Sequence, residues 1–240
     1  MNESGKRHNR SASPLDEEEA GRLLDANRER LHLYASLLAS YSGKLRLTGP
    51  SDPEVIMDEH ILDCLFSVSL LPVEGAVIDV GSGGGLPGIV WALCRPGLVV
   101  TLLDSVKKKC VALEEMSLEL GLENVRVVDT RCEDHARERR ESYDCAAARA
   151  VASTDVLLEY LSPLVSAGGS IICFKGPKHL EEIETIEDEW HLLGLGNFKR
   201  YKYEIASKKR YILEWKKTGN TPGEYPRKVG IAEKRRWWRC

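Results

Sequence analysis

No stretch of this chain approaches the roughly 18 consecutive apolar residues that a membrane helix needs, so a membrane span is not expected. The segment from Met1 to Ser13 is polar and lacks the apolar core of a secretory signal, which points to a cytoplasmic protein. None of the seven cysteines belongs to a CxxC pair, and no Cys/His cluster has zinc-binding spacing. Reduced, mostly buried thiols are therefore expected, with no disulfide framework and no metal site. Internal repeats, low-complexity segments and a convincing Ser-His-Asp triad are also missing. What is present is an ordinary composition, 240 residues with 42% hydrophobic and 30% charged, enough for one α/β domain and a modest extension.

The net charge of −3 hides an asymmetry. From Lys208 to Cys240 eleven Lys/Arg face three Asp/Glu, a balance of +8, whereas the rest of the chain carries 23 basic and 34 acidic side chains, a balance of −11. A basic end of this kind suits a polyanionic partner. The competing reading is a solvated, partly disordered tail.

Along the chain, residues 1–12 read as disordered. Residues 13–74 read as a helical cap: Ser13-Pro14 is a helix start, and Ala20, Leu23, Leu24, Leu31, Tyr34, Leu37, Leu38 and Tyr41 recur at helical spacing up to Gly43. A second helix runs from Asp52-Pro53 to about Leu71, with Val55, Ile56, Leu62, Leu65 and Phe66 as its inner face. From Gly75 strands alternate with helices. Strands are expected at Ala76–Val80, Val99–Leu103, Val125–Val128, Cys145–Ala148 and Ser170–Phe174. A helix near Leu180–Leu193 precedes two amphipathic strands, Tyr201–Ile205 and Tyr211–Trp215, too close in sequence for anything but an antiparallel hairpin. Five βα units and a terminal hairpin make residues 75–217 a doubly wound, Rossmann-like class I methyltransferase sheet of seven strands, where a dehydrogenase sheet would stay parallel. Residues 218–240 form the basic tail.

The central motif is Val77-Ile-Asp79-Val-Gly81-Ser-Gly83-Gly-Gly85-Leu86-Pro87-Gly88-Ile89, a glycine-rich turn between a strand and a helix. Glycines let the backbone turn sharply and approach a ligand, which also meets the free N–H groups of the helix start. Gly83, Gly85 and Gly88 match the dinucleotide pattern G-x-G-x-x-G. Asp79, Gly81, Gly83 and Gly85 match the D-x-G-x-G-x-G of S-adenosylmethionine enzymes. The apolar run stops at Val80, so the turn begins at Gly81, and Gly83 comes late for the dinucleotide register. Asp79 is placed to accept from a ligand ammonium. Asp104, followed by Ser105, ends the second strand where a carboxylate accepts ribose hydroxyls; a helix N-cap is its alternative role, although Ser105 can fill that. Cys132 and Glu133 follow the third strand at the adenine border, or else begin an exposed acidic helix.

Seven segments in order resemble the bacterial small-subunit ribosomal RNA guanine-N7 methyltransferases, also called glucose-inhibited division protein B. They are His60-Ile-Leu-Asp63, Asp79 through Ile89, Leu102-Leu-Asp104-Ser105, Arg131-Cys-Glu133, Ala148-Arg149-Ala150, Phe174-Lys175-Gly176 and Tyr225-Pro-Arg227-Lys228. The resemblance implies methyl transfer from S-adenosylmethionine to guanine N7 in a loop of 16S ribosomal RNA near the decoding site. The partner it implies is that RNA or the small ribosomal subunit or its precursor, met by a monomer. It places Gly81, Leu86, Cys132, Glu133 and Arg149 at the cofactor, and Arg131, Lys175 and Arg210 near the RNA, with Arg227 and Lys228 in the last matching segment. Guanine N7 carries an in-plane lone pair, so the chemistry needs alignment and no strong base. Arg149 and Lys175 are expected to position substrate, with an ordinary ion pair as the alternative for each. His60 and Asp63, three apart on a helix, are expected to face one way and shape the site, or to form a structural pair. An NAD(P)-dependent oxidoreductase, or a methyltransferase for another RNA or a small molecule, are the competing functions. The tail reading is testable: removing residues 218–240 is expected to weaken RNA binding more than cofactor binding, and equal losses in the two titrations defeat it.

Overall fold

A computed structural model describes residues 17–41, 43–45 and 47–239. The expected disordered segment 1–12 and the helix start at Ser13-Pro14 lie outside the described residues.

Helix α1 (Glu17–Ser40) buries Ala20, Leu31, Tyr34 and Leu38 of the expected stripe together with Ala35, while Leu23, Leu24, Leu37 and Tyr41 are half-buried. The second cap segment is not one regular helix. It begins as α2 (Pro53–Ile56), capped by the Asp52 carboxylate accepting from Glu54 N at 3.0 Å, and widens into a π-helical turn, Met57–Ile61. It then closes as α3 (Leu62–Leu65) and a 3₁₀ turn, Val68–Leu70. Ile56, Leu65 and Phe66 are buried as expected, but Val55 is 36% exposed. Consecutive helical residues point about 100° apart, and the core takes Ile56.

Seven strands make one sheet: β1 (Gly75–Val80), β2 (Leu98–Asp104), β3 (Val125–Asp129), β4 (Tyr143–Arg149), β5 (Val165–Lys175), β6 (Leu195–Ile205) and β7 (Lys208–Lys217). Their order is β3-β2-β1-β4-β5-β7-β6, with β7 antiparallel to both neighbours and the first five parallel. Val77, Ile78 and Val80 are buried on both faces, as a central parallel strand requires. One apolar layer joins the cap to α4 (Gly88–Cys94) and α5 (Lys107–Glu119). At its centre lies the fully buried Trp91, whose indole N–H donates to Ser67 Oγ at 2.8 Å. The opposite layer holds α6 (Cys132–Glu138), α7 (Thr154–Leu161) and the C-terminal segment. Strand order reverses between β1 and β4, and ligands of such sheets bind in the crevice at the carboxyl ends there.

The expected helix over Leu180–Leu193 is interrupted: α8 spans His179–Glu184, Glu187 and Asp188 take positive φ values of 55° and 66°, and a 3₁₀ turn follows at Glu189–Leu193. The hairpin is tighter than expected, because Ala206 and Ser207 alone form its turn, at φ values of 47° and 60°. Positive φ at both central residues matches the right-handed twist of the flanking strands.

The basic C-terminal segment is packed, not a free tail. Lys217 Nζ is buried between Ser162 O (2.7 Å) and the Thr221 hydroxyl, and burial pulls its pKa down to about 8. Arg140 donates to Tyr225 O (2.6 Å) and Pro222 O (2.9 Å), and Gly230 N donates to Glu133 Oε1 at 3.0 Å. Trp237 is buried, its indole N–H donating to Asp155 O at 2.9 Å, while Trp215 is fully buried in the sheet. Arg227 forms a two-bond ion pair with Glu159, at 2.8 and 2.6 Å. Glu159 is 1% exposed, so removing its partner leaves an uncompensated buried carboxylate. Arg227→Ala is expected to cost about 3 kcal/mol of folding stability, read by denaturant titration, because breaking a buried pair costs the desolvation of the charge left behind. A loss below about 1 kcal/mol, the size of a surface pair, refutes it.

Candidate active site

A cavity of about 780 Å³ opens at the carboxyl ends of β1, β4 and β5. Its floor is the glycine turn, and one wall is Leu47–Gly49 with His60 and Asp63 from the cap. The other wall is Arg149, Lys175 and the hairpin residues Tyr203 and Arg210.

The glycine turn is held by its own backbone: Gly81 N and Ser82 N donate to Leu103 O at 2.8 and 3.0 Å, and Gly85 N donates to Ser82 O at 2.7 Å. Gly81 has φ +70° and lines the cavity; a Cβ there would lie 2.6 Å from Val151 Cγ2. Only glycine fits that position. Gly83 and Leu86 also line the cavity. Asp79, Gly85, Asp104 and Ser105 do not: the two carboxylates lie beneath the turn, and Gly85 packs under Ile89. The Tyr34 hydroxyl, buried in α1, donates to Gly84 O at 2.8 Å and fastens the cap to the loop.

Asp79 is fully buried beneath the turn. Its Oδ2 accepts from Gly88 N at 3.0 Å, and its Oδ1 is buried without a partner. Burial pushes its carboxyl up to about 7. Such an orphaned acceptor under a glycine cradle fits a ligand that brings a donor, such as an ammonium. Asp104 braces the same loop: Oδ2 accepts from Gly83 N and Oδ1 from Val106 N, both at 2.9 Å. The N-cap of α5 is Val106, without a side-chain cap bond, so neither Asp104 nor Ser105 caps that helix, and a ribose would share a carboxylate already engaged on both oxygens.

The cap, the sheet and the hairpin meet in one buried chain. Arg149 Nε donates to Asp63 Oδ2 at 2.8 Å, and its Nη2 donates to His60 Nδ1 at 2.6 Å. The Tyr203 hydroxyl donates to the other Asp63 oxygen at 2.7 Å. His60 and Asp63 thus do face one way, toward Arg149. Burial and the neighbouring guanidinium lower the His60 pKa to about 4, so the ring is neutral near pH 7. It is no general base for chemistry at that pH, since its Nδ1 is occupied and its basicity is low.

Other expected residues lie elsewhere or are already engaged. Lys175 lines the cavity, but its side chain is 7% exposed and its ammonium is bound to Ala152 O (2.9 Å) and Glu182 (2.8 Å), so a phosphate would have to compete with that carboxylate. Arg210 lines the cavity, and its buried Nε has no partner. Arg131 is exposed at the start of α6, and Lys228 is exposed on the C-terminal segment. Three further expected residues lie outside the cavity lining. Cys132 and Glu133 do not line the cavity: the Cys132 thiol faces Tyr160 O at 3.5 Å, and one Glu133 oxygen accepts from Gly230 N at 3.0 Å. Arg227 is spent on Glu159. In each case the packed C-terminal segment or α7 claims the group. Tyr34, Tyr203 and Glu182 join the site without a motif to mark them: Tyr34 belongs to the apolar stripe of α1, Tyr203 to an amphipathic strand and Glu182 to a short helix.

A family model described as rRNA small subunit methyltransferase G matches residues 27–210. A ribosomal RNA small subunit methyltransferase G from Alkaliphilus metalliredigens is 40% identical over 91% of this chain and 94% of its own length. One of the same name from Petrotoga mobilis is 37% identical over 88% and 95%. Among solved structures, a precorrin-6y C5,15-methyltransferase from Geobacter metallireducens superposes with a TM-score of 0.52 at 14% identity, covering 73% of this chain and 92% of that one. At that identity the likeness shows the shared fold alone.

Asp79 generates a testable consequence. Its folded pKa lies above the usual carboxylate value, so the folded state binds the extra proton, and the group makes stability fall as pH rises from about 4 to about 7. Asp79→Asn is expected to remove that slope and raise the melting temperature of the ligand-free protein at pH 8, while weakening binding of a cationic ligand. A variant that melts lower than the parent at pH 8 contradicts this account of the buried carboxylate.

Proposed function

Because the chain belongs to the rRNA small subunit methyltransferase G family, we propose that it transfers a methyl group from S-adenosylmethionine to N7 of a guanine in 16S ribosomal RNA. The observation that carries the reading within the site is the neutral Asp63–Arg149–His60 wall beside a glycine cradle. It offers hydrogen-bond donors and no base, which is what alkylation of a purine nitrogen with a free lone pair requires.

The residues fit the cofactor. The unpartnered Asp79 Oδ1 suits its ammonium, the Gly81 and Gly83 backbone allows close approach, and Leu86 gives an apolar contact at the cavity edge. Asp104 is the acceptor offered to its ribose, through lone pairs its backbone bonds leave free. S-adenosylmethionine supplies a sulfonium-activated methyl group. The chain's own residues align the acceptor base against it. Arg149, locked at Nε and Nη2, has Nη1 left for the substrate. Arg210 and Lys175 on the same rim are the cations offered to RNA phosphates, and the exposed Arg131 and Lys228 widen that footprint. This reading places the enzyme in the cytoplasm, where its RNA substrate is made.

The test is incorporation of labelled methyl from S-adenosylmethionine into small-subunit RNA or subunits lacking their natural methyl groups, with mapping of the modified base. N7-methylguanine at one loop position is the expected product. Label at another base retains a methyltransferase and discards the guanine target; label in neither RNA nor subunits overturns the reading. Asp63→Asn, which leaves the Arg149 charge without its buried counter-ion, is expected to lower kcat/KM in this assay by roughly 100-fold or more, the usual scale for loosened positioning.

A further inference from the structure

Resting on the guanine-N7 reading above, we propose that His60 is a specificity-determining residue that donates a hydrogen bond from Nε2 to O6 of the target guanine.

The inference comes from the direction of the buried chain. A guanidinium has donors only, so the 2.6 Å contact from Arg149 Nη2 makes His60 Nδ1 the acceptor. A neutral imidazole accepting at Nδ1 carries its proton on Nε2. The tautomer is thus set by Arg149, which is set by Asp63, which is oriented in turn by the Tyr203 hydroxyl. His60 lines the cavity, and its Nε2 has no hydrogen-bond partner among the described residues. The charges around the ring are Arg149 and Asp63 within the chain, with Glu59 and Arg210 beyond it. Its lowered pKa keeps the ring neutral across the working range of pH.

A donor at this place reads the base. Guanine shows two adjacent acceptors on its outer edge, N7 and O6, whereas adenine has an amino donor where guanine has O6. With N7 committed to the incoming methyl, O6 is the atom of that edge left to distinguish the two. A fixed N–H pairs with O6 and meets the adenine amino group donor to donor. Neutrality also matters, because the purine gains a positive charge as N7 is alkylated. Asp63 balances Arg149, and His60 carries no charge, so the wall grips O6 with less opposition to that charge than an unpaired cation would give.

The experiment uses the full-length protein and small-subunit RNA assembled with either guanine or 2,6-diaminopurine at the target position. The diaminopurine keeps N7 and the 2-amino group, replaces O6 by an amino donor and turns N1 from a donor into an acceptor, so the His60 variants are what assign the preference to O6. The wild-type protein is expected to prefer guanine by roughly tenfold or more in kcat/KM, as a site built around one substrate hydrogen bond does. His60→Leu is expected to lower the guanine rate roughly tenfold more than the diaminopurine rate, so the preference disappears. His60→Gln, whose amide can accept from Arg149 and still donate, is expected to keep most of it, and it carries the test if the leucine variant does not fold. Equal slowing of both substrates overturns the proposal, as does an undiminished preference in His60→Leu or its complete loss in His60→Gln. Failure of the underlying guanine-N7 reading is seen separately, as an absence of N7-methylguanine with the wild-type protein.

Discussion

The buried pair between Arg149 and Asp63 is the contact on which the site depends. Arg149 ends the strand that flanks the reversal of strand order, so its guanidinium stands at the mouth of the crevice with little water around it. A cation held there needs a counter-ion at hydrogen-bond distance, and the sheet itself supplies none. The cap brings Asp63, and the hairpin brings Tyr203 to occupy the second carboxylate oxygen. Three parts of the chain separated by more than fifty residues each are thereby tied through one carboxylate. His60, carried on the π turn, and Asp63, just after it, both address that one guanidinium.

Around this pair the ligand side of the cavity is held rigid before anything binds. Tyr34 from the cap grips Gly84, Asp104 grips Gly83, and the turn closes on itself through Ser82. Preorganised dipoles of this kind do not have to reorient when a ligand arrives. Asp79 shows what that costs. Its second oxygen is buried without a partner, which costs the desolvation of that acceptor.

The C-terminal segment has a double character. Its basic composition suits RNA, yet several of its groups are consumed in fastening it to α6 and α7: Arg227 to Glu159, Gly230 to Glu133, Trp237 to Asp155. What remains exposed, including Lys228, Lys234, Arg235 and Arg236, is displayed on a fixed surface next to α7. Fixed cations lose less freedom on meeting a phosphate backbone than a mobile tail would.

The sequence by itself determined the parts governed by local periodicity and backbone sterics. Alternation of strands and helices, the short link before the last strand and the register of Asp79 with Gly81, Gly83 and Gly85 were legible, because a two-residue or 3.6-residue period and the need for positive φ are written in consecutive residues. The position of His60 and Asp63 on one helical face was legible for the same reason. Tertiary structure alone decided which polar group meets which. Tyr34 and Tyr203 read as apolar members of their elements, and only packing shows where each hydroxyl points. Cys132 and Glu133 sit at the right point of the topology for adenine, but the C-terminal segment, more than ninety residues away in sequence, takes the Glu133 carboxylate. A buried charge is satisfied by whatever donor the fold delivers within about 3 Å, and no short-range pattern in the sequence encodes that delivery.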